Sequence, residues 1–241
     1  LVGLGRMAEP ENIFKFIEND ISTKLPLTHH KLLITAGPTY EAIDPVRFIG
    51  NRSSGKMGIE LALNFANKGA KVNLVLGPSN IHIKHPNITV HRVESASEMY
   101  TKSLIYFKDS TIAIAAAAVA DYTPTVVREM KIKKKEGTPI FKLKKTEDIL
   151  AEMGIHKVGQ FLVGFALETH NELENAQLKL ERKNLNMIVL NSLNDKGAGF
   201  QTDTNKITIL TKSNKKLSFE LKSKQDVAED IVNTILTEIN D

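Results

Sequence analysis

Short apolar runs alternate with helical patterns along most of this chain, and that alternation restricts the fold more than any other feature. The runs cover residues 31–36, 71–76, 88–93, 111–119, 161–166 and 187–190. Helical spacing fills residues 57–68, stopped by Gly69, and again 148–153 and 171–183. Ser95 caps a further helix reaching about Phe107, with Glu98 at the capping-box position. Strands alternating with helices predict an α/β fold, a Rossmann-like doubly wound and mainly parallel sheet. Residues 111–119 are apolar throughout, as a parallel strand covered on both faces should be; a buried helix segment is the other reading. Alanine is a poor strand former, so the alanines there point to something packed closely against the backbone. Right-handed crossovers gather the strand ends at one edge, and ligands bind outside the carboxyl ends of such strands. That places the loop after the first run around one crevice with Asp121, Phe165 and Asn191. A β pair, residues 205–211 and 217–221, follows. The last helix, 224–239, carries Val227, Ile231, Ile235 and Ile239 on one stripe.

The connection after the first run spans residues 35–58 and holds Gly37, Pro38, Asp44, Pro45, Gly50, Ser53, Ser54 and Gly55. So many punctuators predict loop rather than strand or helix. Most strand-to-helix connections are about 2–6 residues long, so one of this length is costly unless it holds something. Free backbone N–H groups at the helix start, with Arg47, Arg52 and Lys56 nearby, suit an anion such as phosphate. A solvated loop before a well-capped helix explains Ser53, Ser54 and Gly55 equally, but not the earlier pieces. The stretch has no G-x-G-x-x-G, and Met57 stands where a P-loop needs Ser or Thr.

Composition narrows the classes. The chain has 241 residues, 41% hydrophobic and 25% charged, in the range of a soluble globular chain. It has no cysteine, which removes disulfides, thiol catalysis and thiolate metal sites. No apolar run approaches the roughly 20 residues of a membrane span, and neither a signal peptide nor an internal repeat is evident. The seven histidines show no ligand spacing beyond His82-x-x-His85, so no metal is assigned to them. Residues 131–145 contain seven lysines and one glutamate, a net +6, while the whole chain carries +4. The basicity is therefore local, which argues for one polyanion such as a triphosphate rather than for nucleic acid. Regularity breaks from Asp121-Tyr122 to about 145, as in an arm or lid. Its lysine-rich alternations suit two strands of a hairpin around Glu136-Gly137-Thr138-Pro139. Residues 11–17 after Pro10 read as one short helix, and 19–30 as a polar linker.

Several segments, in order, resemble bacterial phosphopantothenate–cysteine ligase. They are Thr35-Ala36-Gly37-Pro38-Thr39, Asp44-Pro45-Val46-Arg47, Asn51-Arg52-Ser53-Ser54-Gly55-Lys56-Met57-Gly58, Ala117-Ala118-Val119-Ala120-Asp121-Tyr122, Lys131-Ile132-Lys133-Lys134 and Gly164-Phe165-Ala166-Leu167-Glu168-Thr169. Lys183-Asn184 and Phe200-Gln201-Thr202-Asp203-Thr204-Asn205 add two more. The resemblance runs from about residue 31 to the C-terminus and implies a ligase domain over 31–241, with a flap at about 123–145. It also implies that residues 1–30, with Gly5-Arg6-Met7-Ala8-Glu9-Pro10, are the tail of a preceding decarboxylase domain plus linker. FMN would belong to that domain alone.

The implied reaction joins 4′-phosphopantothenate to L-cysteine with CTP and Mg2+, through an acyl-cytidylate, on the way to coenzyme A. Phosphoryl transfer of this kind rests on positioning and charge neutralisation. By the resemblance, Asn51 turns the acyl-cytidylate over, and an amide can hold the acyl carbonyl as charge develops; a turn asparagine is the alternative. Arg47 would sit at the phosphopantothenate, where a planar fork suits carboxylate or phosphate. Lys131, helped by Lys133 and Lys134, would begin a mobile flap over the nucleotide; otherwise the lysines form a solvated hairpin. Gly37, Ser53, Ser54 and Gly55 would cradle phosphate. Ala115, Ala116, Ala117, Asp121, Phe165, Lys179 and Lys183 fall where the family contacts CTP, although Phe165 reads equally as core. Lys179 and Lys183 are i, i+4 on one helix face, which in most helices is simply a charged outer face. The metal ligands are not assigned. Ala115 and Leu167 fall where the family varies in size, and Gly50 replaces an expected Ser or Thr. A cytoplasmic homodimer with shared active sites, and no nucleic-acid or membrane partner, completes the expectation. The competing readings are a nicotinamide-dependent oxidoreductase, which lacks its glycine fingerprint here, and a basic nucleic-acid module resting on the lysine arm alone.

Overall fold

In the computed structural model, which describes residues 7–133, 140–168, 170–192 and 202–240, one eight-stranded sheet carries the chain. Helix α1 (Pro10–Thr23) precedes β1 (Lys31–Ala36), and a small hairpin, β2 (Tyr40–Ala42) and β3 (Phe48–Gly50), follows. Then come α2 (Lys56–Asn67), β4 (Lys71–Leu76), β5 (Ile88–Arg92), α3 (Ala96–Phe107) and β6 (Ile112–Ala115). The arm begins with β7 (Tyr122–Pro124) and ends with β8 (Leu143–Lys145). Helix α4 (Ile149–His156), β9 (Phe161–Glu168), α5 (Glu172–Arg182) and β10 (Met187–Ser192) complete the alternation. The C-terminal part holds β11 (Thr204–Asn205), β12 (Ile207–Thr211), β13 (Lys216–Ser218), β14 (Lys222–Ser223) and α6 (Lys224–Asn240). The sheet order is β13-β12-β10-β9-β6-β1-β4-β5. From β10 to β5 every pairing is parallel, while β12 and β13 run antiparallel at one edge. The doubly wound sheet and its terminal β pair are as the alternation predicts.

Side chains on successive strand residues face opposite ways, and this divides the core in two. Leu32, Ile34 and Ala36 of β1 pack with Ile59 and Phe65 of α2 and Val227, Ile231 and Ile235 of α6. Leu33 faces the other layer, with Met99 of α3, Met153 of α4 and Leu180 of α5. Gly58 lets α2 lie against β1, because a Cβ there would stand 2.5 Å from the Ala36 Cβ. Gly55, the residue before α2, has φ +82°, a left-handed turn that glycine adopts without strain.

Four local readings need correction. The 35–58 stretch is not all loop, because β2 and β3 pair antiparallel with Tyr40 opposite Gly50. Most of its punctuators fall outside the two strands, Asp44 and Pro45 in the turn between them, where the Asp44 carboxylate accepts from the N–H groups of Val46 and Arg47. The strand predicted over 111–119 stops at Ala115. Beyond it the backbone follows the chain after β1, with the Ala118 N–H donating to the Gly37 carbonyl at 2.9 Å. The arm pairs Tyr122 with Lys145, joining β7 to β8, and residues 131–133 form no strand. The expected turn at 136–139 and Lys134 lie outside the described residues, as do Gly5, Arg6, Thr169, Phe200 and Gln201. Finally, α1 runs to Thr23 through part of the supposed linker. The polar residues there include no helix breaker before Pro26, and polarity alone does not end a helix. The rest of that linker is docked: Leu27 is fully buried and its N–H donates to the Lys68 carbonyl at 3.0 Å.

Candidate active site

The carboxyl ends of β1, β6, β9 and β10 open on a cleft of about 790 Å3. Among the sequence-predicted residues, Asn51, Ser53, Ser54, Gly55, Ala115, Ala116, Ala117, Asp121, Phe165, Lys179 and Lys183 line it. They arrive from five separate elements or loops, which only the parallel sheet brings to one edge. Asn51 follows β3 and donates through Nδ2 to the carbonyls of Ala118 and Val119, at 3.1 and 3.0 Å. Both amide protons are thereby engaged, and among the described residues Oδ1 has no hydrogen-bond partner. Bound this way, the side chain offers a ligand an acceptor; donating to an acyl carbonyl requires it to release one backbone contact.

The two cations of α5 are held differently. Lys183 contacts both oxygens of Asp148, at 3.0 and 2.7 Å, and Asp148 also accepts from the Ala151 N–H as the cap of α4. Burial alone would raise the Asp148 carboxyl, but these bonds hold it below the usual range. Lys179 donates to the Phe165 carbonyl at 2.8 Å. Burial lowers its ammonium, Lys183 lowers it further, and Glu168, Asp148 and Asp121 oppose both. A partly desolvated ammonium of this kind gains more from an incoming anion than an exposed one would.

Other sequence-predicted residues lie elsewhere. Gly37 stands behind the cleft, 3.2 Å from where a Cβ on Gly55 would sit. Arg47 turns to the arm, its guanidinium donating to the Asp44 carboxylate and, at 3.2 Å, to the Ile132 carbonyl. The Ile132 N–H donates back to Asp44 at 3.0 Å. Burial would raise the Asp44 carboxyl, but the N–H groups of Ile132, Val46 and Arg47 and the guanidinium bring it down to about 2. Lys131 and Lys133 are exposed on that arm and are not part of the cleft wall in their own chain.

Residues that the sequence reading did not place also line the cleft. Glu147 and Asp148 lie at the start of α4, and Asn205 and Lys224 come from the C-terminal segment. Asp148 had a legible signal, a helix-capping aspartate just before an apolar pattern. Lys224 had none, since the first residue of an amphipathic helix carries no mark of what it will face. No three His, Asp or Glu side chains cluster in metal-binding geometry among the described residues.

Residues 27–239 match the DNA/pantothenate metabolism flavoprotein C-terminal domain. A protein named cysteine/cysteine sulfinic acid decarboxylase, from an unknown prokaryotic organism, is 53% identical over 98% of this chain and 67% of its own. The coenzyme A biosynthesis bifunctional protein CoaBC of Bacillus subtilis (strain 168) is 44% identical, over 97% of this chain and 58% of its own. Thus the chain spans between about half and two thirds of the length of these relatives. Among solved structures, the C-terminal domain of a CoaBC protein superposes with a TM-score of 0.77 and 38% identity. That likeness covers 90% of this chain and 99% of the other.

Proposed function

We propose, from the premise that this chain belongs to the family of DNA/pantothenate metabolism flavoprotein C-terminal domains, that it is the ligase of coenzyme A biosynthesis that joins 4′-phosphopantothenate to L-cysteine using CTP. One observation carries the reading. Asn51, the 53–55 turn, the 115–117 alanines, Asp121, Phe165, Lys179 and Lys183 converge on a single cleft large enough for a nucleotide.

In the first step a carboxylate oxygen of phosphopantothenate attacks the α-phosphorus of CTP. The bond to the β-phosphate oxygen breaks, and pyrophosphate leaves with the electron pair. In the second, the cysteine amine attacks the acyl carbon and CMP departs, while a proton is lost from nitrogen. The short side chains of Ala115, Ala116 and Ala117 give a flat base room against the strand ends. Lys179 and Lys183 supply positive charge toward it from α5. The unpartnered Oδ1 of Asn51 suits a contact to the attacking amine, and a rotated amide would instead hold the acyl oxygen. Magnesium, when bound with the nucleotide, neutralises phosphate charge. With no side-chain cluster among the described residues to hold it alone, it would rest on phosphates and water with one or two carboxylates, for which Asp121, Glu147 and Glu168 of the cleft lining are candidates. Lys131 and Lys133 stand away from their own cleft, which favours a homodimer in which the arm closes over a partner's nucleotide. The place of action is the cytoplasm, a reading that rests on the coenzyme A biosynthesis relatives.

The decarboxylase name of the 53%-identical relative supplies a second reading. Both are tested together by following pyrophosphate from CTP plus phosphopantothenate, without and then with cysteine, alongside CO2 release from cysteine or cysteine sulfinate. Pyrophosphate formation before cysteine is added, followed by amide product, supports the ligase. CO2 release without pyrophosphate overturns it.

A further inference from the structure

Both helical layers send a pair of lysines to the cleft. The pair on the α4/α5 side is Lys179 and Lys183; the other stands where the N-termini of α2 and α6 meet. There Lys56 is the first residue of α2 and Lys224 the first of α6, and both line the cleft wall with Asn191 and Asn205. Lys224 is 5% exposed, an unusual degree of burial for a lysine. Burial lowers its ammonium, and Lys56 lowers it further, with Asp203 opposing. The same Asp203 accepts from Lys56 Nζ at 2.6 Å, although its carboxylate is 87% exposed. Its carbonyl also accepts from the Lys224 N–H at 2.9 Å, which ties the three residues together. Two lysines therefore share a partly desolvated wall of the cleft, and the solvent-facing Asp203 carboxylate interacts with both. A multiply charged anion reaching that wall meets both ammonium groups at once. An exposed carboxylate holds a lysine only weakly, so it yields readily to a diphosphate.

We propose that Lys56 and Lys224 form a diphosphate subsite that holds the β- and γ-phosphates of the nucleotide and then the departing pyrophosphate, with Asp203 as the carboxylate that the diphosphate displaces. This rests on the nucleotide-dependent reading above and adds which residues take the leaving group. The base and α-phosphate are left to the Lys179 and Lys183 side. The phosphate ester of the acid substrate is the other source of the same chemistry, and the test separates them.

The full chain is titrated calorimetrically with inorganic pyrophosphate, CMP and phosphopantothenate in turn. Lys224→Gln and Lys56→Gln each weaken pyrophosphate binding by about 10- to 150-fold, the range for losing a hydrogen bond to a charged group, and leave CMP within about twofold. Asp203→Asn acts in the opposite direction and tightens pyrophosphate binding by about two- to fivefold, the range of an exposed ion pair. A merely structural role for these residues does not produce that gain. Because Lys224 is buried, thermal unfolding accompanies its variant, and the half-exposed Lys56 carries the test if Lys224→Gln is unfolded. Unchanged pyrophosphate affinity in Lys56→Gln, loss of CMP in parallel with pyrophosphate, or loss of phosphopantothenate instead of pyrophosphate each overturns the subsite. A wild-type chain that binds pyrophosphate through these lysines but no cytidine nucleotide keeps the subsite and removes the CTP reading.

Discussion

The two lysine pairs of the cleft are alike in chemistry and opposite in how they come together. Lys179 and Lys183 are one helical turn apart, so α5 alone sets their spacing. Lys56 and Lys224 open two helices far apart in the chain, and only the packing of α2 against α6 makes them neighbours. Their counter-charges differ in the same sense. Asp148 is fixed by a helix cap and holds Lys183 through both oxygens, whereas Asp203 reaches Lys56 from solvent. A pair preset by local geometry suits the part of a ligand that stays through both steps. A pair with a displaceable carboxylate suits the part that leaves.

The largest expected effect comes from removing one lysine of each pair. Lys179→Met with Lys224→Met should weaken CTP binding by the product of the single losses, each about 10- to 150-fold. Strict additivity indicates two independent ends of one ligand, and a double variant no worse than either single places both lysines on one phosphate. Next is Asn51→Ala, expected to form pyrophosphate normally while amide product falls by about 100- to 1,000-fold. Normal amide formation by that variant removes Asn51 from the second step.

A smaller effect follows from titration. Burial lowers the ammonium groups of Lys179 and Lys224 below their usual range. An unfolded lysine still holds its proton where the folded one has lost it, so these two groups make the empty protein gain stability as pH rises from the lowered value toward about 10.5. Anion affinity moves the other way, because the charged form is the one that binds. CTP affinity that stays constant through that alkaline window contradicts a role for these two groups. On the acid side, Asp44 carries the complementary sign. Its carboxyl is lowered to about 2, so its contribution is present above about pH 4 and fades as pH falls toward 2. Proteolysis of the arm near Ile132 should rise through that window, and Asp44→Asn should raise it already at neutral pH.

The smallest change is expected for Asp148→Asn, which loosens an exposed contact to Lys183 worth about two- to fivefold in affinity. It also sharpens the contrast with Asp203→Asn. Neutralising either carboxylate frees a lysine, and asparagine caps a helix about as well as aspartate, so thermal stability should fall only in Asp148→Ala, which also removes the cap of α4.

Much of this architecture is legible in the chain before any coordinates. The apolar runs, the Ser95 capping box and the Val227, Ile231 and Ile235 stripe lead to a doubly wound sheet with its strand ends at one edge. The same patterns misplace details where two local signals compete. Ala116, Ala117, Ala118 and Val119 remain as apolar as the strand before them, yet leave the sheet because the chain after β1 draws their backbone away. Arg47, next to the anion-suited turn in sequence, points to the arm because Asp44 and the Ile132 carbonyl claim its guanidinium.

By itself the sequence determined the layers, the direction of the strands and the edge at which the cleft opens, since spacings of two and of three to four residues are written into neighbouring positions. Only the tertiary structure decided that Lys224 stands beside Lys56, that Asp203 contacts both through its side chain and its carbonyl, and that the Asn51 amide nitrogen is engaged by two backbone carbonyls. Those contacts join segments distant in the chain, and they arise from how whole helices pack, which no single stretch of residues records.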